Sequence, residues 1–321
     1  MNGHFRHLRL WLSLISRRKI AGNDVMSLCK VCPRRCQADR EQGSAGFCGA
    51  DNRIFAARAA LHLWEEPCIS GVNGSGAVFF SGCALRCVYC QNHEIASMKV
   101  GREITEQRLV RIFLELQEKG AENINLVTPS HYVCQLIPAL RKAKKLGLYL
   151  PIVYNCSGYE SVESLRLLSG MIDIYLTDFK YMDERTAARY SKAPDYPRIA
   201  KAALEEMVQQ TGSAEFSADG MMKRGVIVRH LLLPGHVREA KAVVEYVYRT
   251  YGEKVYLSLM NQFTPFERLK ETYPEIARKV TKREYNALLE YVLDLGVEQA
   301  YFQEGETAKE SFIPAFNYEG I

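Results

Sequence analysis

Six short apolar runs, each followed by a helix-like stretch, constrain this chain more than any other feature. The runs are 77–80, 124–127, 151–154, 172–176, 226–233 and 255–259. Several are β-branched or aromatic and almost unbroken in apolar character, as strands buried on both faces should be. Between them apolar residues return with helical spacing. Thr105 stands as the cap of one helix, with Leu109, Val110, Ile112, Phe113 and Leu116 on its inner face and Gly120 as its stop. A second helix covers about 238–251, and a third opens with Thr281 and Glu284 at capping-box spacing. Pro138 predicts that the helix after Ser130 is kinked or starts late. Such alternation builds a parallel sheet from βαβ units. The longer gap 177–225 holds an extra helix near 198–210 and a hairpin turn at Asp219 and Gly220.

The working face follows from the strand ends. Pro129, Pro234 and Pro265 lie at or just past the ends of three strands, where proline turns the chain outward. Polar residues collect at the same ends: Thr128, Ser130, His131, Asn155, Ser157, Asp178, Lys180, Arg229, His230, Asn261 and Gln262. Parallel α/β sheets bind ligands at their carboxyl ends.

The ten cysteines are clustered. Cys29, Cys32, Cys36 and Cys48 form one group, and Cys83, Cys87 and Cys90 another. Clustered cysteines in a chain with no convincing export signal read as metal ligands and predict a cytoplasmic protein. The net charge is +5, of which residues 1–25 carry +4. The remaining +1 gives no basic surface for nucleic acid, and none is expected as a partner. Leu8 to Ile15 is an apolar run flanked by Arg6 and by Arg17, Arg18 and Lys19. It is too short for a membrane span, which needs roughly 20 residues. A basic amphipathic helix docking on the main domain is expected there. A true start at Met26, or a targeting or membrane-surface role, are the alternatives.

"SGCALRCVYCQNHE" directly follows the first run and carries Cys83, Cys87 and Cys90 as C-x3-C-x2-C. Three thiolates on one loop can hold three irons of a cubane and leave the fourth open. Clusters that only transfer electrons normally have four cysteines. An open position is where substrate binds, as in catalytic zinc sites. Buried thiols, or zinc with a distant fourth ligand, are the plainer readings.

This spacing, with Tyr89 before the last cysteine, resembles the radical S-adenosylmethionine (SAM) superfamily. "VNGSGAVFFSGCALRCVYCQN" is similar to the cluster region of pyruvate formate-lyase activating enzymes. "DFK" at Asp178–Lys180 and "RHLLLPG" from Arg229 to Gly235 resemble that family's fourth and fifth strand ends. The resemblance covers about 70–265. "CKVCPRRC" and "HLWEEPCISG" look like a poorly characterised branch of these activase-like proteins.

The resemblance implies a [4Fe–4S] cluster on Cys83, Cys87 and Cys90, with S-adenosyl-L-methionine as its companion. One electron from the cluster would cleave SAM to a 5′-deoxyadenosyl radical that abstracts hydrogen from an unreactive C–H bond. It implies that Tyr89 meets adenine and that Arg229 lies near the methionine end, with an ion pair under the barrel mouth as the alternative for Arg229. Asp178 and Lys180 would order a cation or the SAM carboxylate, or simply pair with each other. Asn155 and Ser157 would lie near a cation or the ribose. An electron donor such as flavodoxin or ferredoxin and a protein substrate are the implied partners.

The chain also departs from the family. "VTPSHY" replaces the Gly-Gly-Glu segment that helps to bind the SAM amine, so Thr128, Ser130 or the backbone must substitute. Asn155 stands where the activase has an acidic residue, and Gln262 does not match its histidine. These last two differences bear on glycyl-radical-enzyme activation, not on SAM cleavage.

Cys29, Cys32, Cys36 and Cys48 give C-x2-C-x3-C-x11-C, which suits zinc or an iron–sulfur cluster. So short a segment would draw its folding energy from a metal. A nucleic-acid knuckle is a further alternative, without interleaved aromatics to support it. Cys68, Cys134 and Cys156 read as small buried hydrophobes, with Cys156 placed to face a substrate.

The expected architecture is a partial (β/α)6 TIM-like barrel over 67–305. A helical extension over 1–28, a cysteine-rich metal-binding module over 29–66 and a C-terminal segment over 306–321 flank it. The expected function is radical SAM chemistry that activates or modifies a protein. Modification of RNA or a small metabolite, and a non-catalytic electron-transfer or zinc-binding role, are the alternatives.

Overall fold

The computed structural model describes residues 28–303 and 314–321. The run from Leu8 to Ile15 and part of the C-terminal segment lie outside the described residues. Among the described residues ten strands run in chain order as β1 (Ile54–His62), β2 (Ser75–Phe80), β3 (Arg102–Ile104), β4 (Ile124–Val127), β5 (Ile152–Cys156), β6 (Ile174–Asp178), β7 (Glu215–Phe216), β8 (Met222–Leu231), β9 (Val255–Met260) and β10 (Ala300–Phe302). Their lateral order is β10-β9-β8-β6-β5-β4-β2-β1-β3, with β7 hairpinned onto β8. Every pair from β2 through β10 on this path is parallel. β1 runs antiparallel to both β2 and β3. Among the described residues the two ends do not pair, so the α/β sheet is an incomplete barrel.

The six apolar runs are β2, β4, β5, β6, β8 and β9. β2 and β4 are buried at every position, which is why alternation is absent from their sequence. β1 lies in the stretch expected to form the cysteine module, yet it joins the main sheet. The C-terminal residues return to it: Ala59 N–H donates to Glu319 O at 2.8 Å, and Tyr318 N–H to Ala57 O at 3.0 Å.

The helices form as their caps require. Thr105 Oγ1 accepts the Arg108 N–H at 3.1 Å, worth about 1 kcal/mol, and Leu109, Val110, Ile112, Phe113 and Leu116 of Glu106–Glu118 are buried. Thr281 and Glu284 close a reciprocal capping box on Lys282–Asp294. A 3₁₀ turn over Ser130–Tyr132 delays the next helix to Val133–Lys145. Pro138 sits inside that helix and forgoes the bond its missing N–H would have made to Cys134 O. No helix among the described residues is long and apolar enough to cross a membrane.

Candidate active site

Cys83, Cys87 and Cys90 lie on the loop that leaves the carboxyl end of β2. Gly82 makes the turn, at φ +94°. A Cβ there would stand 2.9 Å from Cys48 O and 2.8 Å from His131 Nε2, so no other residue fits. His131 Nε2 and the Tyr132 hydroxyl bond Ser81 O at 2.8 and 3.0 Å and fix the base of the loop. All three cysteines face a cavity of about 370 Å³ at the carboxyl ends of the parallel strands. That is the size of a small-molecule site.

Burial pushes the Cys90 thiol up to about 12 and the Cys83 and Cys87 thiols up as well. Left alone they would stay protonated; a bound metal would make them thiolates. Local donors prepare for that charge. Leu85 N–H points at Cys83 Sγ at 3.4 Å, and Ser191 Oγ donates to Cys87 Sγ at 3.0 Å. The Lys180 ammonium acts on all three sulfurs. Burial works against that ammonium, but the Asp178 carboxylate outweighs it and holds its pKa well up. Lys180 Nζ bonds Asp178 Oδ2 at 2.5 Å. No three acidic, histidine or cysteine side chains among the described residues converge on the position of a single metal ion. Three loop thiols on one open cavity beside a fixed cation fit a multi-iron cluster.

The other expected residues divide. Thr128, Asn155, Ser157, Asp178, Lys180 and Arg229 all line the same cavity. Thr128 holds a left-handed φ of +60°, a strained state for a β-branched residue, while its N–H bonds Asn155 O at 2.9 Å. Tyr89 lines the cavity too, but its hydroxyl is committed. It shares a 2.6 Å bond with Tyr181, whose hydroxyl meets Ser191 Oγ at 2.8 Å, so the chain of hydroxyls ends on Cys87. Ser130 does not reach the cavity. Its hydroxyl turns inward to Glu160 at 2.6 Å, because the 3₁₀ turn rotates it into the core. His131 and His230 likewise spend their bonds on backbone carbonyls. Cys156 is buried at the cavity wall and bonds Thr177 Oγ1 at 3.4 Å.

The residues the sequence did not reveal are Glu65 and Glu66, on the turn after β1. Arg229 Nε meets Glu66 Oε1 at 2.7 Å, and Nη2 meets both Glu66 Oε2 and Glu65. Asn125 and Asn155 donate to Glu65 Oε1 at 2.9 and 3.3 Å. Burial opposes the charged Glu66, but Arg229 outweighs it and holds the carboxyl below its usual range. Two carboxylates and one guanidinium leave this wall with a net negative charge. The only signal in sequence was the pair "EE" in the quoted "HLWEEPCISG".

The model of the radical SAM superfamily matches residues 77–247, more than half of the chain. An uncharacterized protein of Methanocaldococcus jannaschii is 28% identical over 299 residues, covering 88% of this chain and 80% of that one. A pyruvate formate-lyase-activating enzyme of Clostridium pasteurianum is 31% identical over 121 residues, covering 35% of this chain and 50% of that one. Among solved structures, Streptococcus suis SuiB bound to precursor peptide SuiA aligns at TM-score 0.47 and 11% identity, over 70% of this chain and 47% of that one. The chain thus spans about half the length of the activating enzyme and of SuiB. The match begins inside β2, takes in the three-cysteine loop and the strand ends that ring the cavity, and closes in the helix after β8: this chain belongs to the radical SAM superfamily.

Proposed function

We propose that this chain is a SAM-cleaving radical enzyme that activates or modifies a protein. The observation that carries the reading is that three loop thiols and two sets of opposed charges open on one cavity. The cluster and SAM, when bound, supply a 5′-deoxyadenosyl radical for hydrogen abstraction. Cys83, Cys87 and Cys90 hold the irons, and Lys180 offsets the thiolate charge. SAM is a cation that also carries an ammonium and a carboxylate. The net-negative wall of Glu65, Glu66 and Arg229 suits its amino-acid end: Glu65 and Glu66 take the role of the absent Gly-Gly-Glu segment, and Arg229 offers donors to the carboxylate. Tyr89, Thr128, Asn155 and Ser157 remain for the nucleoside. The low-potential electron comes from a donor such as flavodoxin or ferredoxin.

Two features support a protein target. A relative carries the activation of an enzyme, pyruvate formate-lyase, in its name, and the rim of the cavity is apolar and exposed. Its rim carries Trp64, 58% exposed, next to Leu63, 55% exposed. The test uses a deuterated cell extract split by size. Incubation with enzyme, SAM and reductant should put deuterium into 5′-deoxyadenosine only with the macromolecular fraction, and protease should abolish it. Label from the small-molecule fraction, or label lost to ribonuclease instead, would overturn the protein assignment.

A further inference from the structure

The four N-terminal cysteines do not line the cavity, and their spacing left zinc and an iron–sulfur cluster both open. Cys29, Cys32 and Cys48 are buried, Cys36 is exposed, and none is in a disulfide. Their side chains are mutual neighbours. Cys36 bonds Cys29, and Cys32 lies within electrostatic reach of Cys29 and Cys48. Gly46 fills the space between the other pair: a Cβ there would meet Cys36 Sγ at 3.1 Å and Cys48 Sγ at 3.6 Å.

Their backbone setting repeats that of the active-site cysteines. The amide two residues on points at the sulfur of Cys83 and of Cys90. The same contact is made by Arg34 to Cys32 and by Ala38 to Cys36.

A second, independent observation is Arg40. Its side chain is fully buried, at 0% exposure. Nε and Nη2 donate to Asp51 O, and Nη1 to His131 O at 2.7 Å. All three acceptors are backbone carbonyls. The neighbouring Asp51 carboxylate is engaged by Arg53 at 2.7 Å. Among the described residues no carboxylate bonds this buried guanidinium, and Asp51 acts on it only through space; a further anion beside it would offset the cost of its burial. Its charge acts on Cys48. An iron–sulfur cluster on four thiolates carries net negative charge and supplies that anion. The four sulfurs, like the active-site three, converge on no single-ion position.

We propose that Cys29, Cys32, Cys36 and Cys48 hold a second iron–sulfur cluster, with Arg40 as its buried countercharge. Its position suggests its use. Cys48 O accepts the N–H of Cys83 at 3.2 Å, so one peptide hydrogen bond joins a ligand of each centre. Cys36 is exposed to solvent. The second cluster takes one electron from a reduced protein donor and passes it to the SAM-binding cluster. The donor is oxidised by one electron, and the net charge passed on is one electron per SAM cleaved.

The inference rests on the radical SAM reading only for the acceptor of that electron, and the test separates the two. Anaerobically reconstituted protein should hold about eight irons and eight sulfides per chain. Joint replacement Cys83→Ala, Cys87→Ala and Cys90→Ala should leave about four irons and a reduced-state electron paramagnetic resonance signal that SAM does not move. Cys36→Ser, at an exposed position, should lose that signal and keep the SAM-responsive one. Arg40→Gln, folded by circular dichroism, should lower the midpoint potential of the SAM-insensitive signal, because a nearby cation favours reduction. Four irons with one zinc, or four irons alone, in the parent protein would overturn the proposal, as would a folded triple variant without iron. An unmoved potential in Arg40→Gln would overturn the countercharge assignment. A triple variant that keeps its irons beside a parent that shows no SAM-responsive signal would refute the radical SAM reading and leave this one standing.

Discussion

Arg229→Met should be among the most damaging single changes in the cavity wall. The Arg229 side chain is 14% exposed, Glu65 8% and Glu66 5%. An exposed ion pair such as Lys270–Glu267, with its partners 62% and 84% exposed, is worth roughly 0–1 kcal/mol. Removing one partner of a buried set instead costs about 3–5 kcal/mol, because the remaining charges lose their compensation. Arg229→Met should therefore destabilise by about 3 kcal/mol at pH 8, measured by urea titration under argon. Lys270→Ala, as control, should change little. The loss should also depend on pH. Burial, no longer opposed by Arg229, would raise the folded-state pKa of Glu66. The folded variant would then bind more protons than the unfolded chain, so its stability would rise as pH falls and the deficit would shrink by pH 6. Glu66→Gln in the Arg229→Met background should recover part of the loss. A deficit below about 1 kcal/mol that does not change with pH would refute the reasoning, since the trio would then be solvated.

Other outcomes follow from particular contacts. Gly82→Ala should lose cluster iron, read by iron analysis, because its Cβ would strike Cys48 O and His131 Nε2. Thr281→Ala should cost about 1 kcal/mol in thermal unfolding without altering SAM cleavage, because it removes only a cap. Burial depresses His230 to about 4. The unfolded chain then binds the extra proton between about pH 4 and 6.5, so stability falls on acidification through that window. His230→Asn, which keeps a donor for Phe179 O, should reduce that slope by about 1.4 kcal/mol per pH unit.

The parallel core was legible because strands buried on both faces lose their polar residues. The edges were not. β1 reads "IFAARAALH", alanine-rich with Arg58 in its middle, and its strand state comes from pairing with β2 and β3. β10 has three residues, none of them buried, and is fixed by register with β9. The cluster thiols were legible from spacing on one loop. Glu65 and Glu66 were not, because two adjacent acids look like a solvated pair until Arg229, some 163 residues later, comes to rest against them. Ser130 shows the converse: a hydroxyl beside a strand end points inward when a 3₁₀ turn follows.

The most direct test is to reconstitute the protein anaerobically, reduce it with dithionite, add SAM and quantify 5′-deoxyadenosine and methionine. The parent protein should form both in equal amounts, and Cys87→Ala should form neither. A parent protein that carries its full iron and sulfide yet yields no 5′-deoxyadenosine, with or without a deuterated extract present, would contradict the assignment of the cavity to SAM cleavage.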